Sequence, residues 1–250
     1  MGTITLIPVD GIPEVHPNDD LAALLLAAIG ASGERLQAGD IVAVAQKVVS
    51  KAEGRLCRVS EVVPGERALA MAAESGRDAQ LLEIVLGETR RIVRWSRGVL
   101  IVETHHGFVC ANAGVDQSNA GAADTVVLLP VDPDASAARL RAALSAATGV
   151  DVPVIVTDTF GRAWREGHLN VAIGISGLPA LRRYAGSLDP EGYELKVTEI
   201  AVADELAAAS ELVMGKLDRR PAALIRGLVL ADPSETAREY VRPAERDMFR

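Results

Sequence analysis

The stretch VPVIVTDTFGRAWREGHLN (residues 152–170) changes character halfway along. Its first part, VPVIV, is an apolar, β-branched run of the kind that forms a buried strand. Thr157, Asp158 and Thr159 follow directly. Because ligands in α/β folds bind beyond the carboxyl ends of strands, Asp158 and Thr159 could present a carboxylate and a hydroxyl to one Mg²⁺ or Mn²⁺. The alternative is that Asp158 caps a following helix.

Two Arg, one Glu and one His lie in the rest of this stretch. If a metal-bound nucleotide lies here, Arg162 and Arg165 could neutralise its phosphate oxygens. For Glu166 and His168, a position in a solvated loop is the simpler interpretation.

Strands and helices are interspersed along the chain without a regular βαβα alternation, which predicts a mixed α/β (α+β) fold with an inserted subdomain in the middle. Residues 66–87 indicate two short helices split at Ser75-Gly76, and a loop-rich region follows VPVIVTD. The other predicted helices are residues 20–37 with Asn18 or Asp19 as N-cap, SAARLRAALSAATG, AVADELAAASELVMG and SETAREYV. The predicted strands are TITLIPV, GDIVAVA, RIVRW, GVLIVET, GFVCANAG, DTVVLLP, VPVIVTD and AALIRGLVL, with RIVRW, GVLIVET and GFVCANAG as antiparallel neighbours.

Composition narrows the class of protein. The 250 residues carry a net charge of −8 with no basic stripe, which argues against general nucleic-acid binding. The two cysteines, Cys57 and Cys110, have apolar neighbours and are expected to be inert thiols. The N-terminus does not resemble a signal peptide, and the longest apolar run is about half the ~20 residues of a membrane span. A cytoplasmic enzyme is therefore the default expectation.

The segment AGVDQSNAG (113–121) places Asp116, Ser118 and Asn119 between glycines. One interpretation is an Asx-type turn that joins two strands. The other is a loop that binds a metal and a nucleotide, with a carboxylate for a divalent cation and an amide for a base or ribose.

Two further segments carry cations. QKVVSKAEGR (46–55) follows a predicted strand and contains Lys47 and Lys51, which could bind phosphate, or could protect an exposed edge strand. ELVMGKLDRR (211–220) ends a predicted helix at Gly215 and lacks the GxxxxGK[ST] pattern, so a plain C-cap is the simpler interpretation.

Together these segments resemble the GTP-dependent γ-glutamyl ligases of coenzyme F-420, a deazaflavin redox cofactor. The resemblance runs in family order along nearly the whole chain. The matching segments are IPVDGIPEVHPNDDL, DIVAVAQKVVSKAEGR, ANAGVDQSNAG, LLPVDPDASAARLR, VIVTDTFGRAWREGHLNVAIG and VTEIAVADELAAASELVMGK.

The resemblance implies a homodimeric enzyme with a family-specific mixed-sheet fold that adds L-glutamate to F-420-0 and extends the tail through γ-linkages. GTP would be the co-substrate, with Mg²⁺ or Mn²⁺ as metal and K⁺ as a further candidate cation. Residues 1–250 would form one ligase domain or two interleaved subdomains. Some relatives have an added C-terminal nitroreductase-like domain, which is not expected in this sequence; the chain would be a standalone ligase or the excised half of a fusion.

The resemblance also assigns residues. Asp116, Asp158 and Thr159 would be metal ligands, and Asp116, Asp158 and Lys51 would carry catalysis. Position 46 departs from the expected pattern, because a Gln stands where several relatives have a small hydroxyl residue. The GTP pocket would be formed by Ile12, Pro13, Glu14, Val15, Gln46, Lys51, Asn119, Met214, Gly215 and Lys216.

The implied reaction suits these residue types. GTP would phosphorylate the acceptor carboxylate, and the amine of glutamate would displace phosphate from the acyl phosphate. Metal ions and Lys or Arg side chains neutralise phosphoryl charge in such steps. Two alternatives use the same side chains: a metal-dependent nucleotide phosphohydrolase, and a non-catalytic module that binds an anionic cofactor.

Overall fold

A five-stranded sheet lies at the centre of the computed structural model, which describes residues 2–118, 120, 123–230, 233 and 236–248. The helices in the described residues are α1 (Leu21–Ala31), α2 (Gln46–Ala52), α3 (Glu66–Ser75), α4 (Ala79–Gly87), α5 (Pro133–Thr148) and α6 (Val202–Met214). The strands are β1 (Thr5–Pro8), β2 (Ile41–Ala45), β3 (Leu56–Arg58), β4 (Thr89–Ser96), β5 (Val99–Thr104), β6 (Val109–Ala111), β7 (Thr125–Val127), β8 (Val154–Arg162), β9 (Arg165–Ser176), β10 (Arg182–Arg183), β11 (Glu199–Ile200) and β12 (Ala222–Arg226).

The central sheet has the strand order β1–β12–β2–β8–β9. Strands β2 and β8 are parallel neighbours, and the other neighbouring pairs in this sheet are antiparallel. The register of β2 and β8 ends where Ala45 lies opposite Thr157. Asp158 and the rest of β8 therefore continue past the end of β2, paired only with β9.

Helices cover both faces of the central sheet. Val42, Val44, Val154 and Val156 belong to the hydrophobic cluster that includes α1 and α5. The intervening Ile41, Ala43 and Ile155 belong to the cluster that includes α6. Successive side chains of a strand point to opposite faces, so a sheet buried on both sides needs apolar residues throughout. This explains why β2 and β8 are continuous apolar runs.

A second group of elements lies between α2 and α5 in the sequence. Strands β4, β5 and β6 form an antiparallel three-stranded sheet, and β3 pairs with β7. Helices α3 and α4 pack with β5 around Leu82, Leu100 and Val102, which are fully buried. This group has its own hydrophobic clusters, separate from those of the central sheet.

The structure confirms the predicted mixed α/β class and most predicted elements. The break between the two short helices is at Gly76, which has φ 71° and caps α3. Helices α5 and α6 also end at the predicted glycines, Gly149 and Gly215. The described helices include none that is long and apolar enough to cross a membrane.

The predicted N-cap and the predicted C-terminal end of the first helix were wrong. The helix begins at Leu21, and Asp20 is its N-cap, accepting a hydrogen bond from the backbone N–H of Ala23 at 3.0 Å. Asp19 instead accepts from the backbone N–H of His16 at 2.7 Å and stabilises the preceding turn. The helix ends at Ala31, because a turn through Gly33, with φ 76°, follows it.

Three other local predictions were also wrong. The edge-strand alternative for 46–55 fails because this segment begins with α2. The loop-rich region predicted after VPVIVTD begins only at residue 177, because residues 154–176 form the hairpin of β8 and β9. Asp158 lies in this hairpin and is not a helix cap. The predicted last helix is only a 3-10 turn over Ala237–Tyr240 in the described residues; Ser234 and Glu235 lie outside them.

Candidate functional site

The candidate site lies at the edge of the central sheet where β2 ends and β8 continues beyond it. Both strands run toward this edge because they are parallel. Helix α2 begins at Gln46, directly after β2, and Asp158 is the first residue of β8 beyond the paired region. The topology thus brings Lys47 and Asp158, more than one hundred positions apart in sequence, to the same edge.

The loop around Asp116 supplies a second carboxylate. Its backbone is fixed by two hydrogen bonds with Val127, of 3.0 and 2.8 Å. Oδ2 of Asp116 lies 2.6 Å from Nζ of Lys47, which also donates to Oγ of Ser118 at 2.6 Å. Oδ1 of Asp116 accepts from the backbone N–H of Ser118 at 2.6 Å, which is an Asx turn. The loop therefore forms the expected Asx turn and also places Asp116 and Ser118 in a polar cluster with Lys47. Asn119 lies outside the described residues.

The surroundings of Asp116 and Asp158 shift their pKa values in opposite directions. Burial raises the pKa of Asp158 to about 7; a backbone hydrogen bond from Thr159 opposes this shift, and the charge of Asp116 adds to it. Burial also acts on Asp116, but its hydrogen bonds with Lys47 and Ser118 outweigh burial and lower its pKa. Asp116 contacts Lys47 at the start of α2, and Asp158 follows the end of the pairing of β2 with β8, so the topology brings both predicted metal ligands to the same edge of the sheet.

Thr159 lies in a chain of hydrogen bonds. Lys216 donates from Nζ to Oγ1 of Thr159 at 2.9 Å. Thr159 donates to Oδ1 of Asn170 at 2.8 Å, and Asn170 donates from Nδ2 to Oε2 of Glu211 at 2.9 Å. Sequence reasoning missed Asn170 and Glu211. The register of the β8–β9 hairpin, in which Asn170 is opposite Thr159, is the signal that would have revealed the first of them.

The end of α6 delivers Lys216 to this chain. Gly215 caps the helix with φ 64°, so the backbone turns sharply after Met214. The side chain of Met214 is buried, and Lys216 is exposed apart from its contact with Thr159. Met214, Gly215 and Lys216 were all predicted to border the GTP pocket. The side chain of Lys216 contacts Thr159, a predicted metal ligand. The charge of Lys216 also lowers the pKa of Asp158, against the larger effect of burial.

The predicted pocket residues before α1 lie against α2. Lys51 is buried, and its ammonium forms an ion pair with Glu14. Ile12 and Val15 are buried core residues, and Pro13 is exposed beside them. Lys51 is thus ion-paired with Glu14, whereas Lys47, four residues earlier on the same helix, is ion-paired with Asp116. The structure places Lys47, which was only a candidate phosphate ligand, closer to the predicted metal ligands.

Gln46 is the first residue of α2 and is 1% exposed. Its Oε1 accepts from Oγ of Ser50 at 2.8 Å, but its Nε2 is buried without a hydrogen-bond partner in the described residues. A buried unpaired donor costs roughly 1–3 kcal/mol, and such groups are rare outside functional sites. An amide donor is therefore available next to Lys47.

The structure does not bring the charged tip of the hairpin to this cluster. Arg162 lies four residues beyond Asp158 on an extended strand, a distance of about 13 Å. Its guanidinium donates to the backbone carbonyls of Glu166 and Gly167 across the tip. Arg165 is exposed. Glu166 and His168 are exposed as expected, but they lie in strand β9 and not in a loop.

The donor set suits a hard divalent cation. Asp116, Asp158 and Thr159 offer only oxygen, and each of Asp116 and Thr159 already has an ammonium group on that oxygen. Among the described residues no group of three or more His, Cys, Asp or Glu side chains forms a metal cage. Mg²⁺ in proteins usually takes one or two carboxylates and completes its shell with phosphate and water. The residues present therefore fit a metal that is held jointly by protein and phosphate.

The cysteines do not contribute a nucleophile to this site. Burial raises the pKa of Cys110 to about 12, and the charge of Asp158 adds to the shift. Burial also raises the pKa of Cys57. Thiolates are the reactive form of cysteine, so both shifts favour the inert thiols expected from the sequence.

Comparison with known proteins identifies the family. The model of the family described as "F420-0:Gamma-glutamyl ligase" matches residues 11–227. The chain belongs to this ligase family. The matched range contains all the predicted site residues, from Ile12 to Lys216. The prediction of a γ-glutamyl ligase of the F-420 type is therefore confirmed.

Individual members of the family are similar over their whole length. The "Coenzyme F420:L-glutamate ligase" of Methanothermobacter thermautotrophicus is 43% identical over 250 residues, which are 99% of this chain and 99% of that protein. The protein of the same name from Methanopyrus kandleri is 44% identical over the full length of both chains. The one from Archaeoglobus fulgidus is 40% identical over 99% of this chain and 96% of its own.

Proposed function

We propose that this chain is a GTP-dependent ligase that adds L-glutamate to F-420-0 and extends the γ-glutamyl tail. The observation that carries the proposal is the meeting of Asp116, Asp158, Thr159, Lys47 and Lys216 where β2 ends and β8 continues beyond it. Oxygen donors and ammonium groups in one place suit a metal-bound triphosphate. Membership of the ligase family supports the choice of substrates.

The reaction that we propose has two steps. An oxygen of the acceptor carboxylate attacks the γ-phosphorus of GTP, the bond to the β–γ bridging oxygen breaks, and GDP leaves. The amine of glutamate then attacks the carbonyl carbon of the acyl phosphate, the C–O bond to phosphate breaks, and the amine loses a proton. Both steps build up negative charge on phosphate oxygens, which is the charge that the site must neutralise.

Each residue then has a defined task. Asp116, Asp158 and Thr159 would hold Mg²⁺ or Mn²⁺, which supplies positive charge to the phosphate oxygens. Lys47 and Lys216 present ammonium groups beside these oxygens and can transfer from them to phosphate. Gln46 offers its unpaired Nε2–H as a nucleotide contact. Lys51 becomes available to phosphate when Glu14 releases it, and the backbone of 12–15 and of Gly215 borders the pocket. K⁺ remains a candidate for a further cation, and Asn119 for a GTP contact.

Two proposals concern organisation. We propose that the group of elements from β3 to β7 is a subdomain inserted into the central sheet, because it has separate hydrophobic clusters. We also propose that the ligase domain occupies the chain as one unit and works as a homodimer; light scattering on the purified protein tests the second statement.

The function is tested with purified protein, GTP, Mn²⁺, L-glutamate and F-420-0, with the product followed by mass spectrometry. We expect GDP, phosphate and a product heavier by glutamyl units. Asp116→Asn and Asp158→Asn should each lower turnover by about 100-fold or more, while Glu205→Gln, on the exposed face of α6, should not. GTP hydrolysis at the full rate without F-420-0 or glutamate would instead favour a phosphohydrolase. F-420 binding independent of metal and GTP would favour a binding module.

A further inference from the structure

A series of hydrogen bonds runs from Glu211 on α6 through Asn170 on β9 to Thr159 on β8. Asn170 is 3% exposed, so its side chain is shielded from water. Its Nδ2 lies 2.9 Å from Oε2 of Glu211, and its Oδ1 lies 2.8 Å from Oγ1 of Thr159. We call Asn170 and Glu211 the amide–carboxylate pair.

Glu211 and Lys216, at the two ends of this series of hydrogen bonds, determine which group donates and which accepts at each step between them. A carboxylate such as that of Glu211 only accepts, so it selects the –NH₂ side of the Asn170 amide. The amide oxygen then faces Thr159 and accepts its hydroxyl hydrogen. At the other end the ammonium of Lys216 only donates, which requires a lone pair of Thr159. With the amide rotated by 180°, two acceptors would face each other at Glu211 and the hydroxyl hydrogen would turn toward an ammonium.

A neutral hydroxyl binds a cation through its lone pairs, and its hydrogen must point away from the cation. The amide–carboxylate pair supplies this arrangement, because it takes the hydrogen of Thr159 on the side away from Lys216. We infer that Asn170 and Glu211 are positioning residues that orient the hydroxyl of Thr159 for the metal–phosphate end of the site. This inference depends on the proposed function, in which Thr159 is a metal ligand.

A second contact between α6 and β9 makes it possible to distinguish orientation of the Thr159 hydroxyl from general stabilisation of the packing of these two elements. Asp204, also on α6, accepts from the backbone N–H of Ala172 on β9 at 2.9 Å. It joins α6 to β9 two residues from Asn170 but has no hydrogen bond with Thr159 among those described. Asp204→Ala is therefore a matched control: it weakens the packing of α6 on β9 and leaves the orientation of Thr159 unchanged.

The experiment measures binding of Mn²⁺ by the full chain with GTP and without F-420-0, from the electron paramagnetic resonance signal of free Mn²⁺. Outer partners of metal ligands typically contribute 10- to 100-fold to metal affinity. We expect a loss of about 10-fold or more in Glu211→Ala and in Asn170→Ala. Glu211→Gln keeps an acceptor for Asn170 and should stay within about fivefold of the parent protein. Asp204→Ala should bind Mn²⁺ like the parent protein even if its melting temperature falls.

Ligation kinetics give a second readout, in which Glu211→Ala should raise the Mn²⁺ concentration needed for half-maximal turnover more than the KM for glutamate. Equal Mn²⁺ affinity in the parent protein and Glu211→Ala would overturn the inference, as would an equal loss in Asp204→Ala. Absence of Mn²⁺ binding by the parent protein would also overturn it. A parent protein that binds Mn²⁺ and GTP but makes no glutamyl product would refute the proposed function instead, while the comparison of variants would still decide the role of the pair.

Discussion

Replacing Asp158 with Asn should stabilise the metal-free protein while it removes activity. Burial raises the pKa of this carboxyl group from 3.8 to about 7, so the folded state disfavours the ionised form. About three pKa units correspond to at most about 4 kcal/mol at pH 8, where the carboxylate is ionised in both the folded and unfolded states. At pH 5 only about 1.2 units count, or about 1.6 kcal/mol, because the folded group is still protonated. The penalty on the parent protein therefore grows as the pH rises from about 4 to about 7.

The assay is urea unfolding in the presence of a chelator at pH 5 and pH 8. Asp158→Asn should exceed the parent protein in free energy of unfolding at pH 8 by about 2 kcal/mol more than it does at pH 5. Asn keeps a side-chain oxygen for the backbone N–H of Thr159, so that hydrogen bond is not lost. Glu205→Gln removes one exposed negative charge and controls for the net charge of −8. A gain that is equal at the two pH values, or a loss at pH 8, would refute the reasoning.

Three further predictions concern single residues. Lys47→Met should lower ligation by about 100-fold or more, measured as GDP release with all substrates present; unchanged turnover would remove Lys47 from the site. Gly174→Ala should destabilise the fold by about 3 kcal/mol, because a Cβ there would lie 2.2 Å from the carbonyl oxygen of Pro133. Gly161→Ala in the same hairpin meets no atom within 4 Å and should leave the unfolding midpoint nearly unchanged. Cys110 should resist iodoacetamide at pH 8 until the protein is unfolded, since its pKa is about 12; rapid labelling of the folded protein would contradict this.

The sequence predicted strands correctly where burial on both faces produces a continuous apolar run. Strands β2 and β8 are buried on both faces, so their apolar runs could be predicted. Asp158 was expected at the end of its strand, but β8 continues to Arg162 and only its pairing with β2 ends before Asp158. Strand β9 could not be predicted, because its first half is exposed and its polar residues REGH resemble a loop. Asn170 was therefore placed in no element, although it lies directly opposite Thr159.

The choice between the two lysines of α2 also required the structure. Lys47 and Lys51 are one helical turn apart, and only the packing of α2 shows that the first contacts Asp116 and the second Glu14. The β-branched pair Val48-Val49 in between gave no helix signal, and this segment was left open as an edge strand. Glu211 was missed for a similar reason, because its partner Asn170 is 41 positions away.

The balance of charge at the site explains why a divalent cation belongs in the proposed reaction. GTP, F-420-0 and glutamate all carry carboxylate or phosphate groups, and the chain as a whole has a net charge of −8. Lys47 and Lys216 only offset Asp116 and Asp158, so the side chains by themselves create no strongly positive region for three anionic substrates. A divalent cation held by the aspartates would reverse this balance and would leave both ammonium groups available to phosphate. On this argument the aspartates serve to hold positive charge, and replacing one with Asn should impair phosphoryl transfer even though it makes the metal-free fold more stable.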